Sequence, residues 1–182
     1  MKLIETELKG CFIVEPKVFG DSRGYFFESF NEKKFQAEIG QSIHFIQDNQ
    51  SFSSYGVLRG LHAQRGNSAQ AKLVRVLQGE ILDVAVDVRK GSASFGMHIS
   101  VKLTAENKKQ LFVPRGFLHG FVVLSETAEV FYKCDNGYDK EAEVGARFDD
   151  PAFGIDWKLP KEALIISEKD ELHPPFTAEN WF

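Results

Sequence analysis

His62, Lys72 and Tyr132 each stand inside a run of apolar and β-branched residues, and together they form the set that proton transfer at carbon requires. A base must take a proton beside a carbonyl, a cation must hold the charge that develops on the oxygen, and an acid must return a proton. His62 lies in Val57-Leu58-Arg59-Gly60-Leu61-His62-Ala63-Gln64, Lys72 opens Lys72-Leu73-Val74-Arg75-Val76, and Tyr132 shares strand parity with Val130 and Cys134. Each type also has a plainer use: a strand histidine is often a half-buried packing residue, and a tyrosine often a core ring with a bonded hydroxyl.

Strand parity bears on which of these groups can meet, because successive side chains point to opposite faces. Lys72 shares a face with Val74 and Val76, and Asp83 shares one with Ile81 and Ala85. Charges among apolar neighbours on consecutive strands suggest a barrel mouth lined for a ligand; the alternative is the wetted side of an antiparallel sheet. His62 has the parity of Leu58 and Gln64, whereas Arg59 has the opposite one. The two can serve one cavity only if Gly60 marks a bulge.

A metal is not expected. A barrel that holds an ion usually supplies a His-x-His pair, a nearby Glu and a later His. Here His62 is followed by Ala63, Gln64 and Arg65, and His119 alone fits the later position, so the carboxylate is missing. Arg23, in the turn Gly20-Asp21-Ser22-Arg23-Gly24, could present its guanidinium to a phosphate or simply stay solvated.

The elements that must position these residues read as strands. Phe occurs 17 times, and short β-branched or aromatic runs alternate with Gly, Pro, Asp and Ser, the rhythm of an all-β sandwich. Strands are expected over 11–18, 24–30, 44–52, 57–64, 72–77, 81–88, 96–103, 110–113, 120–124 and 129–134. Short surface helices are expected over 32–38 and 160–170, with a tail over 173–182 that wanders or docks on a neighbour. The 182 residues fit one domain, 1–182, with no repeat or linker. A net charge of -4 without a basic block argues against nucleic acid. No window reaches the ~20 apolar residues of a spanning helix, and Cys11 and Cys134 lack metal-type spacing, so a cytoplasmic protein with reduced, hydrophobe-like cysteines is expected.

Along nearly its whole length the chain resembles the dTDP-4-dehydrorhamnose 3,5-epimerase family. The resemblance is carried by Phe19-Gly20-Asp21-Ser22-Arg23-Gly24-Tyr25-Phe26-Phe27-Glu28, Gln47-Asp48-Asn49, Gly56-Val57-Leu58-Arg59-Gly60-Leu61-His62 and Ala71-Lys72-Leu73-Val74-Arg75-Val76. It continues through Asp83-Val84-Ala85-Val86-Asp87, Pro114-Arg115-Gly116-Phe117-Leu118-His119-Gly120-Phe121, Tyr132-Lys133-Cys134 and Ser167-Glu168-Lys169-Asp170. Two positions depart from the family's usual pattern: Gln50 replaces a histidine and Ala63 a tyrosine, changes expected to alter the pocket rim.

The resemblance implies an all-β jelly roll of cupin type, a double-stranded β-helix sandwich with short peripheral helices. It also implies a homodimer and neither metal nor organic cofactor. By the same resemblance His62 is the base at carbons 3 and 5 of a 4-keto sugar, with Asp170 accepting its other ring proton. Lys72 stabilises the enolate oxygen and Tyr132 returns a proton from the opposite face. Arg23 and Arg59 hold the diphosphate; Phe19, Gln47, Asn49, His119, Glu143 and Lys169 shape the rest; and Glu28 reaches the neighbouring subunit's site. Competing expectations are a 3- or 5-monoepimerase, a 3,4-ketoisomerase, a sugar-binding jelly roll without turnover, and a metal-dependent cupin dioxygenase.

Overall fold

The structure, a computed structural model, describes residues 1–177 and 181. The strands are β1 (Lys2–Glu5), β2 (Phe12–Glu15), β3 (Val18–Asp21), β4 (Gly24–Phe27), β5 (Gln47–Ser54), β6 (Val57–Gln64), β7 (Lys72–Gln78), β8 (Glu80–Asp87), β9 (His98–Thr104), β10 (Gln110–Val113), β11 (Phe117–Val123), β12 (Thr127–Cys134), β13 (Glu143–Gly145) and β14 (Ile165–Ile166). One sheet runs β1-β2-β10-β7-β12-β5 and faces a second in the order β13-β6-β11-β8-β9, with β14 added parallel to β6. Strands distant in sequence lie side by side in both sheets, which is the jelly roll expected from the resemblance.

Parity explains how each sheet is buried. On β7 and β12, Val74, Val76 and Val130 face inward, where they pack against Ile81, Ala85 and Phe121 of the second sheet. Leu73 of β7 and Phe112 of β10 face outward and are covered by α1 (Glu32–Ile39) through Phe35 and Ile39. Asn31 caps that helix by accepting from the Lys34 N–H at 3.2 Å, and Gly40 ends it at φ 66°. The outer face of the second sheet carries Leu82, Val84, Val86, Leu118 and Val122, and the C-terminal segment covers it with Phe153, Trp157 and Trp181. Double-sided burial accounts for β8, where every residue from 81 to 87 is buried and alternation would mark a half-wet strand.

Several expected boundaries shift. The run 11–18 divides into β2 and β3, which belong to different sheets, because Pro16 lies between them and has no N–H to donate to a ladder. The stretch 160–170 is not one helix: after Pro160 it forms a 3-10 turn (Lys161–Ala163), then β14, then the short helix α2 (Glu168–Glu171). β-branched Ile165 and Ile166 pair with β6 there, so edge pairing overrides the charged composition. β1, β13 and β14 were too short to announce themselves by alternation. Of the tail over 173–182, residues 178–180 and 182 lie outside the described residues; the described part packs on its own chain, with Phe176 between Phe153 and Trp181 at centroid distances of 4.6 and 5.5 Å. Cys11 and Cys134 are free and buried. No helix of the described residues is long and apolar enough to cross a membrane.

Candidate active site

Between the sheets lies a cavity of about 530 Å³ lined by Arg59, His62, Lys72, His119, Tyr132 and Asp170, among others. A smaller one of about 330 Å³ shares His62, Lys72 and Tyr132 with it and adds Gln47, Asn49, Tyr138 and Glu143. The charged faces of β7 and β8 are therefore the interior faces, and the wetted-sheet alternative fails. Asp83 is fully buried, and Lys72 reaches into a cavity wall.

The bulge demanded by parity exists. On β6 and β11, His119 pairs with His62 and Phe121 with Arg59, so three steps on one strand span two on the other. The extra residue inverts parity at Gly60, whose φ is 110°. Leu58 and Leu61 therefore both pack outward with Trp157, while Arg59 and His62 both line the cavity. The expectation that Leu58 and His62 share a face is overturned by this inversion. Only glycine fits: a Cβ at residue 60 would lie 2.6 Å from Gly120 Cα and from the His119 carbonyl oxygen.

His62 Nε2 is 2.7 Å from Asp170 Oδ1, and the second oxygen of that carboxylate accepts the Gly60 N–H at 3.2 Å. Burial acts to raise the Asp170 pKa, but the His62 contact and the Gly60 N–H outweigh it and hold the group below its ordinary value. An ionised carboxylate can only accept, so His62 Nε2 carries a proton toward Asp170, and in the neutral ring that leaves the lone pair on Nδ1. Ser167 positions Asp170 by capping α2, its hydroxyl accepting the Asp170 N–H at 3.2 Å.

Burial pushes the Lys72 ammonium below its ordinary range, opposed by the fields of Cys134, Asp83 and Glu143. Its Nζ lies 5.9 Å from the centroid of the Tyr132 ring. Burial also raises the Tyr132 phenol, which keeps it protonated and able to donate. His119 Nε2 sits 2.7 Å from Asp83 Oδ1, both residues being buried, and Arg59 Nε donates to Ser53 Oγ at 3.2 Å. Glu143 binds Lys169 and accepts from the Tyr138 hydroxyl at 2.7 Å. Gln47 and Asn49 bond one another at 3.0 Å on the wall of the smaller cavity.

Gln64, the residue in the usual position of a second metal histidine, spends its amide on backbone: it donates to Ser68 and Gly137 and accepts from Asp139. Gln50 bonds Glu129 on the exposed face, away from both cavities, while Ala63 lines the smaller one.

Phe19, Arg23 and Glu28 are not brought to the cavity of this chain. The β3-β4 hairpin holds Phe27 against Arg75 on the outer side of the first sheet, so the sheet itself separates it from the interior. Arg23 there pairs with Asp21, and Glu28 with Lys34. The expected union of Arg23 with Arg59 therefore does not occur within one chain. Two further residues escaped the sequence reading. Tyr138 touches both Glu143 and the smaller cavity, and His173 packs edge-on against His62 with ring centroids 5.2 Å apart. Both sit in irregular segments, where strand parity has no meaning.

A profile described as dTDP-4-dehydrorhamnose 3,5-epimerase matches residues 5–178. A dTDP-4-dehydrorhamnose 3,5-epimerase from Shigella flexneri is 49% identical over all of this chain and 99% of its own length. The crystal structure of dTDP-4-dehydrorhamnose 3,5-epimerase from Elizabethkingia anophelis NUHP1 superposes with a TM-score of 0.96 at 58% identity, covering 99% of this chain and 98% of that one. A dTDP-6-deoxy-D-glucose-3,5-epimerase from Legionella pneumophila Philadelphia 1, in complex with dTDP-4-keto-L-rhamnose, gives a TM-score of 0.89 at 44% identity over 97% and 98% of the two chains. With the barrel, these likenesses define the class: a jelly-roll isomerase of the epimerase type. The chain belongs to the dTDP-4-dehydrorhamnose 3,5-epimerase family.

Proposed function

We propose that the protein epimerises dTDP-4-dehydro-6-deoxy-D-glucose at carbons 3 and 5 to dTDP-4-dehydro-L-rhamnose, for dTDP-L-rhamnose and the cell-surface polysaccharide built from it. The reading rests on one observation: His62 with its Asp170 partner, Lys72 and Tyr132 all meet one cavity. His62 Nδ1 takes the proton beside the carbon-4 ketone, and the electron pair moves onto the carbonyl oxygen. The Lys72 ammonium holds that enolate oxygen, where a cation in a partly desolvated site acts more strongly than in water. Tyr132 returns a proton to the opposite face; His62 then gives its proton to solvent and Tyr132 regains one from solvent, so that a second round inverts the other centre.

Arg59 meets the diphosphate, and Gln47, Asn49, His119, Glu143 and Lys169 shape the pocket for the rest of the nucleotide sugar. The chain works as one catalytic domain in the cytoplasm without a cofactor, and as a homodimer. The dimer is argued from the β3-β4 hairpin, whose Phe19 and Phe26 are 55% and 72% exposed. Apolar rings of that size on a protruding hairpin call for a covering surface. A partner's hairpin would bring Phe19, Arg23 and Glu28 to the site that this chain's own hairpin cannot reach.

The test is turnover in heavy water, with NMR counting deuterium at each carbon. Label at both carbons 3 and 5 with the rhamno product is expected. Label at one carbon alone would make the protein a monoepimerase, and none would leave only a binding role.

A further inference from the structure

His173 is the residue nearest the base that the proposed reaction leaves unused. It follows α2, and its ring occupies space that exists because residue 145 is glycine: a Cβ there would lie 2.3 Å from the imidazole. Its Nε2 is sealed from solvent and has no hydrogen-bond partner among the described residues. Asp170 Oδ1 is 3.7 Å away, too far for a hydrogen bond. That same oxygen is 2.7 Å from His62 Nε2.

Two imidazole nitrogens and a carboxylate oxygen thus converge, all within 4.8 Å of one another. A tetrahedral zinc with bonds of ~2.0–2.1 Å holds its ligand atoms ~3.3 Å apart, and the two distances to the shared oxygen straddle that value. Two histidines and one carboxylate are the donor set of many three-ligand sites, which leave a fourth position open. An ion would also satisfy the orphaned His173 nitrogen, whose burial without a partner is unfavourable. Lys169, the cation next to Asp170 in sequence, is already paired with Glu143.

We propose that His62, Asp170 and His173 form an inhibitory Zn²⁺ site. Its effect on the reaction follows from the tautomer and rests on the reading of His62 as the base. Zinc needs the lone pair at Nε2, so the ring proton moves from Nε2 to Nδ1. The nitrogen that should accept the sugar's proton then carries one, and Asp170 no longer accepts from His62. The enzyme is off while the ion is bound and recovers when it leaves. The set differs from the one a cupin would use: it draws on β6, α2 and the segment after α2, and it omits Gln64 and His119.

The test titrates Zn²⁺ alone into chelator-treated full-length protein by calorimetry and measures inhibition of turnover in parallel. Wild type should take one tight zinc per chain and lose activity as that site fills. His173→Ala and His173→Gln should keep metal-free turnover. Their zinc affinity and zinc sensitivity should fall by more than the roughly 10- to 100-fold that loss of an outer-shell partner costs. Unchanged zinc affinity in both variants, equal inhibition of variants and wild type, or no tight zinc on wild type would overturn the site. Metal-free wild type that fails to epimerise, yet binds zinc in a His173-dependent way, would overturn the epimerase reading and leave the ion site standing.

Discussion

Lys72→Met removes the cation while keeping a side chain of similar length. Among the described residues Lys72 forms no ion pair within 4.0 Å, and the acidic fields it feels come from Asp83 and Glu143 at longer range. Its charge is therefore not spent on a partner and remains available to the enolate oxygen. Deleting one donor to a developing oxyanion costs ~10²–10³ in kcat, about 2.7–4 kcal/mol, and an unneutralised ammonium belongs at the upper end. A loss of ~10³ in kcat is expected, with KM changed little. Stability should hold or rise, since a buried cation without a close partner is replaced by an apolar chain.

The pH profile offers a second readout. Because burial lowers the Lys72 pKa beneath 10.5, the ammonium is lost as pH rises through that lowered value, and kcat should fall on a basic limb beginning before pH 10.5. The unfolded lysine keeps its proton longer, so in the same window unfolding free energy should increase with pH. Lys72→Arg, charged throughout, should push the limb upward. Steady-state kinetics, thermal melts and deuterium wash-in check these points. Turnover of Lys72→Met within tenfold of wild type, with deuterium still entering at carbon 3, would refute the reasoning.

Other outcomes follow from named contacts. Asp170→Asn should lower kcat by up to ~10⁴, as when an orienting aspartate is lost from a catalytic histidine, because the amide no longer enforces the Nε2–H tautomer; kinetics and folded-state circular dichroism check it. Gly60→Ala should destabilise by at least ~1–3 kcal/mol, because alanine resists a φ of 110° and its Cβ meets Gly120 and His119; urea titration measures it. Burial alone would raise Asp87, but Arg89, Ser92 and Ser94 hydrogen bonds bring it down to about 2. Its stabilisation, roughly 2 kcal/mol, should be complete above pH 3.8 and lost as pH falls toward about 2, and Asp87→Asn should flatten that part of the acid melt. Arg23→Ala and His62→Asn should each be impaired alone and regain part of the activity when co-refolded, because a mixed dimer holds one intact site. No recovery would sink hairpin sharing.

Local pattern and spacing made much of this molecule legible. Alternation placed β6, β7, β8, β10 and β12 to within a residue or two, since apolar runs bounded by Gly and Pro have few other uses. Parity also placed Lys72 and Asp83 inside, and it posed the one condition on which Arg59 and His62 could meet. Those inferences hold because a strand's two faces are dictated by its own backbone.

Tertiary structure decided what depends on distance in sequence. His62 and Asp170 are 108 residues apart and meet only because β14 pairs with β6 and carries α2 against the bulge. The inversion at Gly60 is set by how β11 pairs across it, which no count along one strand can reveal. His173 came to lie on Asp170 because Gly145, on another strand, leaves room for its ring. The residues of the candidate chemistry were thus visible in the chain, while their convergence arose from pairings between strands, which alone determine which nitrogen of His62 is bonded and which is free.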